Sequence, residues 1–166
     1  VFKLLEQQLG IKPGSECLIA LTHASAKERG MECNERLEFL GDSILGFIIS
    51  ELLYHTYPDK NEGELSNLKA AMVSTNALAS TARRLQIQRM LITSKGVTQI
   101  SNAMLANAYE ALLAAIYLEQ GLEKCFEVVR KTLYEPMVKH IGEGKYERNF
   151  KAILQDYAQK KCKALP

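Results

Sequence analysis

The stretch from Asn34 to Leu53, NERLEFLGDSILGFIISELL, constrains the fold more than any other part of the chain. On a helix turning about 100° per residue, Glu35, Glu38 and Asp42 are spaced i, i+3 and i+7 and fall in one stripe. Leu37, Leu40, Ile44, Leu45 and Ile48 project from the other side, so the acids share one face and the core takes the opposite one. An ordinary i,i+3 pair of glutamates reads as a solvated acidic face. Here Phe39, Phe47, Ile48 and Ile49 make the segment apolar almost all round, which predicts a largely buried helix. Carboxylates on a buried helix require cations or hydrogen bonds.

A second helix carries the same pattern. Leu105, Tyr109, Leu112, Leu113, Ile116 and Tyr117 occupy one broad side, and Asn107, Glu110, Ala111 and Ala114 form a stripe of small and polar residues. Small residues let a neighbouring helix come close, which is expected to bring Glu110 near Glu38 and Asp42. Four oxygen-bearing side chains from two packed helices suit a hard cation, Mg²⁺ or Mn²⁺, rather than zinc.

The rest of the chain also reads as helix, giving an all-α fold. Helices are predicted near 2–9, 14–22, 34–57, 64–71, 74–85, 103–119, 122–138 and 148–161, with breakers that include Gly10, Pro13-Gly14, Gly30, Pro58 to Gly63, Gly96 and Gly121. Gln88 to Thr93 is the single strand candidate. Asn34 is the expected N-cap of the acidic helix, and Ser74 or Thr75 that of the helix through Leu85. With 166 residues and 47% hydrophobic content, the chain is long enough for one well-packed domain.

The four cysteines, Cys17, Cys33, Cys125 and Cys162, have no CxxC pairing and no histidine at ligand spacing. They are therefore expected to be reduced thiols of a cytoplasmic protein, without a zinc site or disulfide framework. The longest apolar runs are interrupted by polar residues and too short to span a membrane, and no signal segment opens the chain. The chain begins at Val1 without a methionine, so a preceding segment is expected. Net charge is +2 but uneven: residues 1–121 hold 11 Lys+Arg against 13 Asp+Glu, and residues 122–166 hold 10 against 6. A basic end beside an acidic body fits a nucleic-acid enzyme with carboxylate-held metals, and also fits an ordinary solvated terminus.

At these residues the sequence resembles the ribonuclease III family. Asn34 to Leu45 matches that family's NERLEFLGD signature and the small and apolar residues that follow it. Leu21-Thr22-His23-Ala24-Ser25 is similar to its N-terminal LTH-x-S element, and Gly63-Glu64-Leu65-Ser66 with Leu68-Lys69-Ala70 and Leu78-Ala79 to its middle segment. Glu110-Ala111-Leu112 with Ala115-Ile116-Tyr117-Leu118 and Gly121 resembles its second metal-binding helix. The resemblance runs in order along essentially the whole chain.

It implies a helical endonuclease domain over residues 1–145 that forms a two-fold dimer. Residues 146–166 would be a linker and the truncated start of a double-stranded-RNA-binding domain. It implies Glu38, Asp42, Asn107 and Glu110 as metal positions, Asp42 and Glu110 also being catalytic, with two Mg²⁺ (or Mn²⁺) ions per site. Ions about 3.5–4 Å apart would activate water and stabilise the leaving 3′ oxygen, giving 5′-phosphate and 3′-hydroxyl ends with a short 3′ overhang. Phe39 becomes the anchor of the dimer, where the residues alone suggest core packing. Glu35 is either an outer support of the metals or dimer interface, or a surface salt-bridge partner. Lys69, Arg83, Arg84 and Lys95 are candidate phosphate contacts that also read as solvated surface. His23 is expected to pack or cap near the domain's start, without a general-base role.

The family carries Asp-x-x-Glu where this chain has Asn107-Ala108-Tyr109-Glu110. The amide can still ligate but brings no charge. Asn107 is either an engineered substitution that stalls cleavage or a natural variant of weakened activity, and a non-catalytic RNA-binding homologue, such as a ribosome-associated protein, is the competing function. With no tryptophan and 7% aromatic residues there is no base-stacking platform, so double-stranded RNA is the expected partner, bound by shape and weakened by salt.

Overall fold

The computed structural model describes residues 1–29 and 32–142, and within them the chain is a bundle of eight α-helices. These are α1 (Phe2–Leu9), α2 (Ser15–Ala20), α3 (Glu35–Thr56), α4 (Glu62–Met72), α5 (Thr75–Arg84), α6 (Asn102–Gln120), α7 (Leu122–Val129) and α8 (Glu135–Gly142). The predicted helix at 148–161 and the proposed segment 146–166 lie outside the described residues. No sheet forms among those described. The strand candidate at 88–93 is instead a short 3₁₀ turn, Ile87–Arg89, followed by a single bridge between Thr22 and Ile92.

The bundle is built around α6. Leu105, Ala106, Ala108, Tyr109 and every residue from Ala111 to Ile116 are buried, because α2, α3, α5 and α7 all pack on this helix. A helix apolar on all sides has to be central. Tyr117, expected on its apolar side, is instead 38% exposed where the helix emerges from the bundle.

The broadest of these contacts, between α3 and α6, depends on Gly41. A Cβ built there would lie 1.8 Å from the Glu110 carbonyl oxygen and 2.4 Å from its carbonyl carbon. The two backbones therefore touch directly, and no other residue fits. Glycine inside a helix costs about 1 kcal/mol relative to alanine; here the close crossing gives the reason for it.

Local signals set several helix ends. Ser74 accepts from the Ala77 N–H at 3.3 Å and Ser101 from the Met104 N–H at 3.2 Å. Helix α4 starts two residues earlier than predicted, since Asn61 and Glu64 form a reciprocal capping box. Asn34 precedes α3 but its side chain does not cap it; the side chain is turned inward and is 2% exposed.

Two further departures shape the bundle. The helix predicted at 122–138 is three pieces, with a π-helical turn at Arg130–Tyr134 between α7 and α8. That turn is held by Arg84, which donates to the Thr132 carbonyl, by Tyr109, whose hydroxyl meets Thr132 Oγ1 at 2.9 Å, and by Tyr134, whose hydroxyl lies 2.6 Å from Thr56 Oγ1. The expectation of a largely buried α3 holds only for its packed face, for Phe39 is 80% exposed and Phe47 53%. Packing covers only one face of α3.

Replacing Gly41 with alanine should destabilise the fold by about 3 kcal/mol, the upper part of the range for overpacking a tight contact, as read by urea unfolding. A loss below about 1 kcal/mol would mean that α3 and α6 separate easily.

Candidate metal centre

The α3–α6 crossing places the polar residues of both helices in one open cleft of about 620 Å³, lined by His23, Ala24, Asn34, Glu35, Glu38, Phe39, Asp42, Ser43, Asn107 and Glu110. Every residue expected as a metal position is there. Glu38 and Asp42 come from the first and second turns of α3, and Asn107 and Glu110 from successive turns of α6. They meet because Gly41 lies against the Glu110 backbone between them.

Their electrostatics follow from that crowding. The Glu110 carboxyl is pushed up to about 7, chiefly by burial and then by the charges of Asp42 and Glu38. Glu38 is raised from the ordinary carboxylate range, again mainly by burial, with Glu35 and Asp42 adding to the effect. A hydrogen bond from Asn107 and the neighbouring His23 work the other way. Asn107 thus satisfies Glu38 as a donor, which a carboxylate at that position cannot do when ionised. Glu35 and Asp42 are exposed.

Among the described residues, no three His, Cys, Asp or Glu side chains converge closely enough to enclose an ion by themselves. The acids line the cleft wall rather than close on one point, and the fourth oxygen donor is an amide. The donor set nonetheless fits a hard dication. All donors are oxygens, and like charges are held together at a desolvation cost that a bound cation would relieve.

The cationic candidates do not gather at the cleft. Lys69 is half-buried across α3, its ammonium facing Gly46. Arg83 donates to Asn102 Oδ1 at 2.6 Å, and Arg84 is committed to Thr132. Lys95 is exposed in the loop before α6. His23, expected to pack or cap near the domain's start, is half-buried, accepts the Ser25 N–H at the start of the 3₁₀ helix Ala24–Arg29, and also lines the cleft. Its place comes from tertiary pairing, its N–H donating to the Ile92 carbonyl at 2.9 Å, which no helical periodicity signals.

An all-α domain with a carboxylate-lined cleft between two crossed helices is the architecture of a helical nuclease. Residues 16–137 match the family model described as Ribonuclease-III-like. The chain is 40% identical over 168 residues to Ribonuclease 3 of Pelotomaculum thermopropionicum, covering 95% of this chain and 69% of that protein. It is 38% identical over 163 residues to Ribonuclease 3 of Streptomyces coelicolor, covering 92% of this chain but 58% of the relative. Among solved structures, a nuclease domain of ribonuclease III from Campylobacter jejuni, described for flexibility in a region involved in dimer formation, superposes with a TM-score of 0.73 at 32% identity. That match covers 80% of this chain and 98% of the other. The chain belongs to the ribonuclease III family.

The charge of Glu110 gives a pH signature. In metal-free protein its folded pKa lies above the unfolded value, so the neutral form is favoured in the fold, and stability falls as pH rises from the ordinary carboxylate range through about 7. Glu110→Gln, which mimics the neutral acid at all pH values, should melt with the parent near pH 4 and a few degrees above it at pH 8 in EDTA. Coincident melting curves at pH 8 would show that Glu110 is not crowded by Asp42 and Glu38.

Proposed function

We propose that this chain carries the catalytic domain of a divalent-metal-dependent endonuclease for double-stranded RNA, acting as a homodimer. The observation that carries the reading is that Glu38, Asp42, Asn107 and Glu110 line one cleft, with Glu110 raised by burial and then by its acidic neighbours. Because the chain spans 58–70% of the length of its first relatives, substrate choice by the whole protein is part of the proposal.

Glu38, Asp42 and Glu110 would hold the cations, with Asn107 supplying a neutral oxygen. Bound there, two Mg²⁺ or Mn²⁺ ions would activate water for in-line attack on the phosphodiester and stabilise the leaving 3′ oxygen, leaving 5′-phosphate and 3′-hydroxyl ends. The protein's own part is positional. The Gly41 contact fixes the separation of the two helices, and Asn107 holds the Glu38 carboxylate in place. Glu35, in the same first turn as Glu38, would add its negative charge to the edge of the cation site.

Dimerisation is supported by the surface of α3. Phe39, Phe47 and Tyr54 are all exposed, at 80%, 53% and 68%, and fall within an arc of about 80° on the helix. An aromatic stripe of this kind is a self-association surface. Two clefts related by a two-fold axis across one duplex would cut both strands and leave a short 3′ overhang.

A second reading, an RNA-binding homologue without activity, is favoured by Asn107 itself, whose hydrogen bond satisfies Glu38 without a metal. The substitution Asn107→Asp separates the two. Restoring the fourth carboxylate should raise Mg²⁺ affinity and cleavage of a long RNA duplex by about tenfold or more, within the range for changes around metal ligands. Two inactive proteins would support the binding-only reading, and equal activity would remove Asn107 from the site.

Phe39→Ala should weaken the dimer by about 2–4 kcal/mol, the usual effect of removing a buried aromatic anchor, as measured by sedimentation equilibrium. An unchanged dimer would place the interface elsewhere.

A further inference from the structure

The cleft's acids and amide account for its floor, but His23 at its edge is built into the fold with more care than a packing residue needs. Its backbone N–H donates to the Ile92 carbonyl at 2.9 Å, and the residues beside it are paired on both sides: Ile92 N–H to the Leu21 carbonyl at 2.8 Å, Asn34 N–H to the Thr22 carbonyl at 2.9 Å. The ring is oriented as firmly. Nδ1 accepts from the Ser25 N–H at 3.1 Å and lies 3.0 Å from Ser25 Oγ, which is itself fixed by the Ser94 N–H at 3.1 Å.

An imidazole whose Nδ1 accepts from a backbone N–H carries its proton on Nε2 when neutral. No described residue accepts from that Nε2–H. Asn34, 2% exposed and lining the same corner, has an amide nitrogen with no hydrogen-bond partner. One corner of an otherwise acceptor-lined cleft therefore holds unused donors. Of the other side chains lining the cleft that can donate, the Asn107 amide is engaged by Glu38, and Ser43 offers a hydroxyl.

Resting on the reading of this cleft as an RNA phosphodiester site, we propose that His23 is a substrate-contacting residue. Its Nε2–H donates to a non-bridging phosphate oxygen of the strand lying in the cleft. Ionised, Glu35, Glu38, Asp42 and Glu110 offer only acceptors to an incoming phosphate, so an N–H on this wall adds a directional contact that the carboxylates cannot make. The tie to Ser25 keeps the acceptor nitrogen turned away and the donor turned toward the strand.

The test is fluorescence anisotropy of a labelled RNA duplex in Mg²⁺ with the parent chain, His23→Leu and His23→Gln. Leucine keeps the bulk and loses the donor, and should weaken duplex binding about tenfold or more, the scale of one hydrogen bond to a charged acceptor. Glutamine places an amide N–H near the position of Nε2 and should recover most of the loss. Calorimetric titration with Mg²⁺ alone should give His23→Leu the parent's affinity. Parent-level duplex binding by His23→Leu, a glutamine variant as weak as the leucine one, or an equal loss of Mg²⁺ affinity would each overturn the proposal. Should His23→Leu not fold, His23→Phe decides, because it keeps a planar ring of similar size without the donor; it should bind duplex about tenfold more weakly, and parent-level binding overturns the idea. A parent chain that binds no duplex would remove the underlying reading of the cleft, and this proposal with it.

Discussion

Everything in the cleft depends on the contact between Gly41 and the Glu110 backbone. Two helices normally sit 8–10 Å apart, a spacing of roughly that order being set by their side chains. Here one partner has no side chain at the crossing, so α3 and α6 meet main chain to main chain. Glu38 and Asp42, on either side of Gly41, are drawn toward Asn107 and Glu110. A wider crossing would leave the same residues as two separate acidic surfaces.

The crossing carries an electrostatic cost that the sequence partly offsets. Glu110 is flanked by two like charges and partly desolvated, a combination that favours its neutral form until a cation arrives. Asn107 relieves the strain on the neighbouring acid by donating to Glu38. An aspartate there would add repulsion in the empty cleft and attraction in the loaded one. One side chain at this position thus trades stability of the free fold against affinity for metal.

The pairing of the two polar helices was legible because Glu38 and Asp42, and likewise Asn107 and Glu110, recur at helical spacing among apolar neighbours, and periodicity records facing. The close approach was anticipated from Ala111 and Ala114, whereas Gly41 makes it. Exposure of Phe39 and Phe47 was not legible from the residues alone. A hydrophobic pattern states that a surface is apolar, not whether the same chain covers it. The π-helical turn at 130–134 escaped because it needs Arg84 and Tyr109, distant in sequence, to hold it. That His23 also reaches the cleft escaped for the same reason: a single bridge between Thr22 and Ile92 leaves no alternation to read.

The far end of α6 has a consequence for how the cleft is made ready. Glu119 takes the Gly14 and Glu16 N–H groups on its carboxylate at 2.8 and 2.9 Å, and Gln120 exchanges hydrogen bonds with the Lys12 backbone. These fix the start of α2, the helix that leads directly to His23. Asn107, Glu110 and Glu119 stand on one continuous helix, so the histidine wall is referenced to the same rod that carries the acids, about 14 Å along it from Glu110. The ordering entropy of the cleft is therefore lost during folding rather than during ligand capture, and the cleft meets its ligand already preorganised.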